Sequence, residues 1–128
     1  MNPQHPRPDK RTTGPVRLSR AFGSSFRGFL AAWREEEAFR QECLLALVVV
    51  PLGLWLGDTG VERALLVGPV LLVLAIELVN SAVEATVDRI GVERHPLSAI
   101  AKELGSAAVF VAFLLLGLNW LLVLAWPR

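Results

Sequence analysis

One cysteine, Cys43, and two histidines, His5 and His95, are all that this chain of 128 residues offers of those residue types. A single thiol excludes an internal disulfide framework and a thiolate zinc cluster. The histidines are far apart and fall in no HExxH-type spacing, which excludes a histidine-built metal site of that kind. Charge of one sign is lacking too: 13 Lys and Arg against 12 Asp and Glu leave a net +1 and no nucleic-acid signature. There is no internal repeat, no Walker A glycine loop, no dinucleotide fingerprint and no protein-kinase signature. The polar, proline-bearing N-terminus lacks the apolar core of a cleaved secretory peptide, so none is expected.

What is present is apolar sequence. Leu104 to Trp126 is a run of 23 residues without a charge. A soluble domain of this size has no use for such a run, whereas a bilayer-spanning helix needs roughly 20 apolar residues. The chain is expected to be an all-α integral membrane protein of one domain, residues 16–128, behind a disordered tail at 1–15. The tail follows from Pro3, Pro6, Pro8 and Pro15 set among charges.

From Val16 to about Arg34 the apolar residues repeat at helical period. Leu18, Phe22, Phe26, Phe29, Leu30 and Trp33 share one face, and Arg17, Arg20, Ser24 and Arg27 the other. An aromatic face backed by arginines suits an amphipathic helix lying in the headgroup plane. The alternative is an amphipathic helix packed on a soluble core. A first span is expected over about 38–56, with Arg40 and Glu42 snorkelling outward and Pro51 tolerated. Gly57 to Gly60 is a tight turn, and Thr59 with Glu62 has the capping-box pattern for a second span over 60–90. At 1.5 Å per residue that helix is about 46 Å long, more than a hydrocarbon core of about 30 Å. Its charge-free part is Ala64 to Ile76, so the later end projects into water. Gly91 serves as the stop, and a third span covers about 98–126 after a loop containing His95. Trp55, Trp120 and Trp126 form an aromatic belt at one side. Basic residues concentrate at the other, which places the N-terminus in the cytoplasm and the C-terminus outside.

The segment Glu77 to Arg89 is the most informative. On a helix, residues 77, 80, 84 and 88 fall at about 0°, 300°, 340° and 20°, one narrow face bearing Glu77, Asn80, Glu84 and Asp88. Carboxylates at membrane depth point to function. A polar seam between helices, or a solvated extension in the case of Asp88, is the plainer alternative. Hard oxygen ligands of this kind suit Mg²⁺, which is held by one or two carboxylates plus substrate phosphates. A second acidic cluster, Glu35-Glu36-Glu37, lies on the same side, as do Lys102 and Glu103. Acids with Lys and Arg at one interface could handle a metal–nucleotide complex.

Three segments carry a resemblance: Trp33 through Glu42, Glu77-Leu-Val-Asn80-Ser81-Ala-Val-Glu84-Ala-Thr-Val-Asp88-Arg89-Ile-Gly91, and Ala101 through Ala108. In this order they resemble the prokaryotic diacylglycerol kinase family, over about residues 14–126. The resemblance implies a homotrimeric inner-membrane kinase that moves the γ-phosphoryl of Mg-ATP to 1,2-diacylglycerol, giving phosphatidic acid. It implies Glu77 as catalytic base, Glu36 and Glu84 as metal carboxylates, and Asn80 and Asp88 as supporting residues. ATP contacts would fall on Arg17, Ser24, Glu36, Glu84, Glu93, Arg94, His95, Lys102 and Glu103. Lipid contacts would come from the surface helix at Arg17, Ala21, Phe22, Gly23, Ser24, Ser25, Phe26, Leu30, Ala31, Ala32 and Trp33. Others would come from Ala38, Phe39, Arg40, Gln41 and Glu42, then Trp55, Glu77 and Ser106. Ser24 stands where a member of that family has tyrosine, and Glu103 where it has aspartate. A polyprenol kinase with the same site is the alternative enzyme. A non-catalytic membrane oligomer with an ion-conducting acidic stripe is the alternative of another class. Asn119, deep in the third span, is expected to bond between helices.

Overall fold

The computed structural model describes residues 14–91 and 93–126; most of the expected tail lies outside the described residues. Four helices make up the described structure: α1 (Pro15–Glu35), α2 (Glu37–Leu56), α3 (Gly60–Ile90) and α4 (Pro96–Ala125). The chain divides into two units, Met1–Ala31 and Ala32–Arg128.

In the first unit, Gly14 takes a left-handed φ of 76° and its carbonyl accepts from the amides of Arg17 and Leu18, which starts α1. Proline at the first helical position is pre-set for this geometry, so α1 opens at Pro15 instead of Val16. The phenylalanines Phe22, Phe26 and Phe29 remain exposed. Their arrangement matches the apolar stripe of the sequence.

In the second unit α3 is the central element, packing on α2 to one side and on α4 to the other. Leu66, Val70 and Val73, at intervals of four and three, form its buried stripe. Gly53 lets α2 come close at this level: a Cβ there would stand 3.1 Å from Leu66 Cβ and 3.5 Å from the Trp120 ring. At the same end the carboxamide of Asn119 donates to Leu65 O at 3.3 Å, and Trp120 Nε1 donates to Leu66 O at 3.0 Å. Asn119 thus bonds between helices, as expected. Three helices, α2, α3 and α4, are long and apolar enough to cross a membrane. Leucines such as Leu47, Leu114 and Leu121 are exposed on them, which is the arrangement that hydrocarbon solvates.

The helix ends show where the expected boundaries hold and where they shift. Thr59 Oγ1 accepts from Glu62 N while the Glu62 carboxylate accepts from the Asp58 and Thr59 amides, so the capping box forms. α3 stops at Gly91, whose φ of 165° is extended and not a left-handed cap. α4 begins at Pro96, two residues before the expected start. The reason is a cap: His95 Nδ1 accepts from Leu97 N, and Pro96 occupies the first turn. His95 is therefore a helix cap in this structure, not just a loop residue.

Candidate active site

Glu77, Asn80 and Glu84 project from one stripe of α3, as their spacing requires. The first two are buried, at 5% and 8% exposure, and Glu84 is half-buried. Asn80 Nδ2 donates to Glu84 Oε1 at 3.1 Å, so one turn of helix links the two side chains.

α2 brings the opposing carboxylates. Glu36 is the non-helical residue (φ −109°, ψ 111°) between α1 and α2. Its side chain does not cap α2, which leaves the carboxylate available for other partners. The bend is closed by Arg40, whose Nη1 donates to Trp33 O at 3.0 Å and to Arg34 O at 3.1 Å. A cation on the last carbonyls of a helix also complements the dipole there. Arg40 thus commits its Nη1 group to the chain's own carbonyls.

Glu42 departs from expectation. It does not snorkel outward but is buried at 9% exposure, on the α2 face shared with Phe39 and Gly53. Glu77 is close enough to act electrostatically on Glu42, and Glu36 and Glu84 are close enough to act on Glu77. Four acids, Glu42 of α2, Glu77 and Glu84 of α3, and Glu36 at the junction before α2, therefore share one field with the Asn80 carboxamide. Glu42 Oε2, Asn80 Oδ1 and Ser81 Oγ are buried without a hydrogen-bond partner among the described residues. Groups left this way within one chain are suited to bind a ligand or a further subunit.

Other expected contacts lie around or away from this cluster. Lys102 Nζ pairs with Asp88 Oδ1 at 2.6 Å, tying the end of α3 to the start of α4. Glu93, Arg94 and Glu103 are exposed at this end of the bundle. Ser106 is exposed on α4, and Ala38 and Gln41 on α2; Gln41 Nε2 donates to Glu37 Oε1. Trp55 is 13 residues along α2 from Glu42, about 20 Å along the axis, and outside the cluster. An apolar groove of about 510 Å³ is lined by Trp33, Cys43, Ala46, Leu47, Val50, Pro51 and Leu74, starting beside Glu42 in sequence. On α1, Arg17, Gly23 and Ser24 edge a shallow pocket with Ser19, Arg20, Ala21 and Arg27. Ser24 Oγ itself donates back to Ala21 O.

Among the described residues, no three His, Cys, Asp or Glu side chains converge into a closed metal cage. The donor set nevertheless fits Mg²⁺, which takes hard oxygens and is commonly held by one or two carboxylates with phosphates completing the shell. Glu36 and Glu84 are the half-buried members able to reach outward. A residue to which the sequence alone assigns no role in this site is Gly105 of α4. A Cβ there would collide with Asn80 Oδ1.

These features define a class: a helical membrane protein with three apolar spanning helices and a carboxylate–carboxamide site toward one end. The profile of the family described as "Prokaryotic diacylglycerol kinase" matches residues 23–124. The chain is 50% identical over 119 residues to a diacylglycerol kinase of Pseudomonas aeruginosa, covering 93% of this chain and 97% of that one. It is 49% identical over 110 residues to a diacylglycerol kinase of Haemophilus influenzae, covering 86% and 93%. The figure for that of Escherichia coli K12 is 46% over 113 residues, covering 88% and 93%. The chain belongs to the prokaryotic diacylglycerol kinase family.

Proposed function

We propose that this chain is an ATP-dependent kinase that phosphorylates 1,2-diacylglycerol to phosphatidic acid at the cytoplasmic face of the bacterial inner membrane. The observation that carries this reading is the buried Glu77 carboxylate. It stands one turn from the Asn80–Glu84 pair, toward the end of the spanning bundle. A lipid hydroxyl at the headgroup boundary can reach that level from the bilayer, and a nucleotide can reach it from water. The groove beside Glu42 offers apolar wall to an acyl chain. The names carried by the relatives favour diacylglycerol over a polyprenol.

In this reading Glu77 takes the proton of the lipid hydroxyl, whose oxygen attacks the γ-phosphorus while the bridging oxygen leaves with ADP. Glu36 and Glu84 would hold Mg²⁺, with Asn80 fixing the Glu84 rotamer. The ion, when bound, neutralises charge on the phosphates. Arg17, Arg94 and Lys102 are assigned to the nucleotide as cations, and Ser24, Glu93, His95 and Glu103 as further contacts, on the family resemblance. Asp88 presets Lys102 through its ion pair. Lipid contacts are assigned to Arg17, Ala21–Phe26 and Leu30–Trp33 of α1, to Ala38–Glu42, and to Trp55, Glu77 and Ser106.

Basic residues concentrated before Gln41 and around 89–102 support a cytoplasmic N-terminus and an external C-terminus. Three spans enclose little volume, and buried polar atoms are left without partners among the described residues. Both support completion of the site by further copies, as a homotrimer. The test is transfer of labelled γ-phosphate by purified protein to diacylglycerol or to undecaprenol. Labelled phosphatidic acid is expected; transfer to undecaprenol alone, or to neither lipid, would overturn the reading.

A further inference from the structure

Asn80 makes its hydrogen bond in only one sense. A carboxylate can only accept, so the Asn80 NH₂ group must face Glu84, and Oδ1 must face away from it. That oxygen is buried without a donor among the described residues, on a side chain 8% exposed. It is directed at the backbone of Gly105 on α4. A Cβ built on Gly105 would overlap Oδ1 and stand 3.3 Å from Asn80 Cγ. The same operation at Gly117, further along α4, meets nothing within 4 Å. The absence of a side chain thus has a consequence at 105 that it lacks at 117.

We infer that Gly105 is a positioning residue for the cation-binding carboxylate. With no side chain, it leaves room for the Asn80 amide between α3 and α4, and the amide in turn holds Glu84. A methyl at 105 would meet the carboxamide, which is too buried to swing into open space, and would break or lengthen the bond to Glu84. The inference rests on the reading of Glu84 as a cation ligand.

The test measures Mn²⁺ binding by electron paramagnetic resonance, on purified protein with a non-hydrolysable ATP analogue, so no turnover is needed. Gly105→Ala is expected to weaken Mn²⁺ binding about tenfold, the scale of losing a supporting partner of a metal ligand. Gly117→Ala should bind as the unaltered chain does. In an Asn80→Ala background the methyl has nothing left to displace, so Asn80→Ala/Gly105→Ala should match Asn80→Ala alone. Unchanged Mn²⁺ affinity in Gly105→Ala, or a further loss in the double variant, would overturn the inference. Glu84→Gln separates the two levels. If it weakens Mn²⁺ binding and Gly105→Ala does not, Gly105 is misassigned while Glu84 stands. If Glu84→Gln binds normally, both readings fall. Should Gly105→Ala fail to assemble, recovery of assembly in the double variant supports the steric route through Asn80, and continued failure contradicts it.

Discussion

Asn119 donates to Leu65 O at 3.3 Å, and Leu65 O is the carbonyl that Pro69 leaves without its helical donor. Proline has no amide hydrogen, so the bond from residue 69 to residue 65 is absent by covalent structure. In hydrocarbon no water can replace it, and a neighbouring helix must. α4 supplies the missing donor from a side chain 54 positions away.

Asn119→Ala is therefore expected to lower stability by about 0.6–2 kcal/mol, the range for interhelical polar contacts in membranes. Reversible unfolding in mixed detergent micelles measures it. The cost should shrink in a Pro69→Ala background, where the backbone regains its own donor. An equal cost in both backgrounds would show that the Leu65 carbonyl freed by Pro69 is not the reason for Asn119.

The Glu36 side chain makes no capping hydrogen bond to its own helix, so its replacement by an amide breaks no structural bond there. Glu36→Gln should melt within about 0.5 kcal/mol of the unaltered chain, as changes away from a structural bond do. Its Mg²⁺ requirement for turnover should rise about tenfold, as lost ligand support does. A magnesium titration reads this directly, and an unshifted curve counts against Glu36 as a cation ligand.

Glu42 carries the opposite expectation. It is a buried acid facing the field of Glu77, with one oxygen unpartnered among the described residues. Removing the carboxylate while keeping its shape relieves repulsion and desolvation. Glu42→Gln should melt higher than the unaltered chain and lose activity, since the acid is retained at a cost in stability. A variant both less stable and fully active would contradict the placement.

Lys102 stands paired with Asp88 at the mouth of the site, both partly exposed. Lys102→Met is expected to raise the KM for ATP about tenfold, the scale of one charge-assisted contact. The kcat at saturating ATP should change little. A fall in kcat with KM unchanged would move Lys102 from nucleotide binding to the chemical step.

Much of the architecture was legible because it follows from local rules. The capping box at Thr59 and Glu62 and the break at Gly91 bound α3, and the acidic stripe follows from three- and four-residue spacing. The misreadings are tertiary. A helical period assigns Glu42 to a face of α2 but does not say that this face meets α3 and not the membrane surface. Asn80 and Gly105 are 25 positions apart, and nothing local to either one signals the contact. The start of α4 at Pro96 was legible in principle. His95 is an uncommon cap, and its ring nitrogen takes the role usually read from Ser, Thr, Asp or Asn.

The central claim is that the buried carboxylate of Glu77 removes the proton of a lipid hydroxyl. The measurement that tests it most directly is the initial rate of phosphatidic acid formation by Glu77→Gln, at saturating Mg-ATP and diacylglycerol, on protein shown to assemble normally. A fall of about 10²–10⁴-fold is predicted, the contribution of a general base. A rate close to that of the unaltered chain would contradict the account.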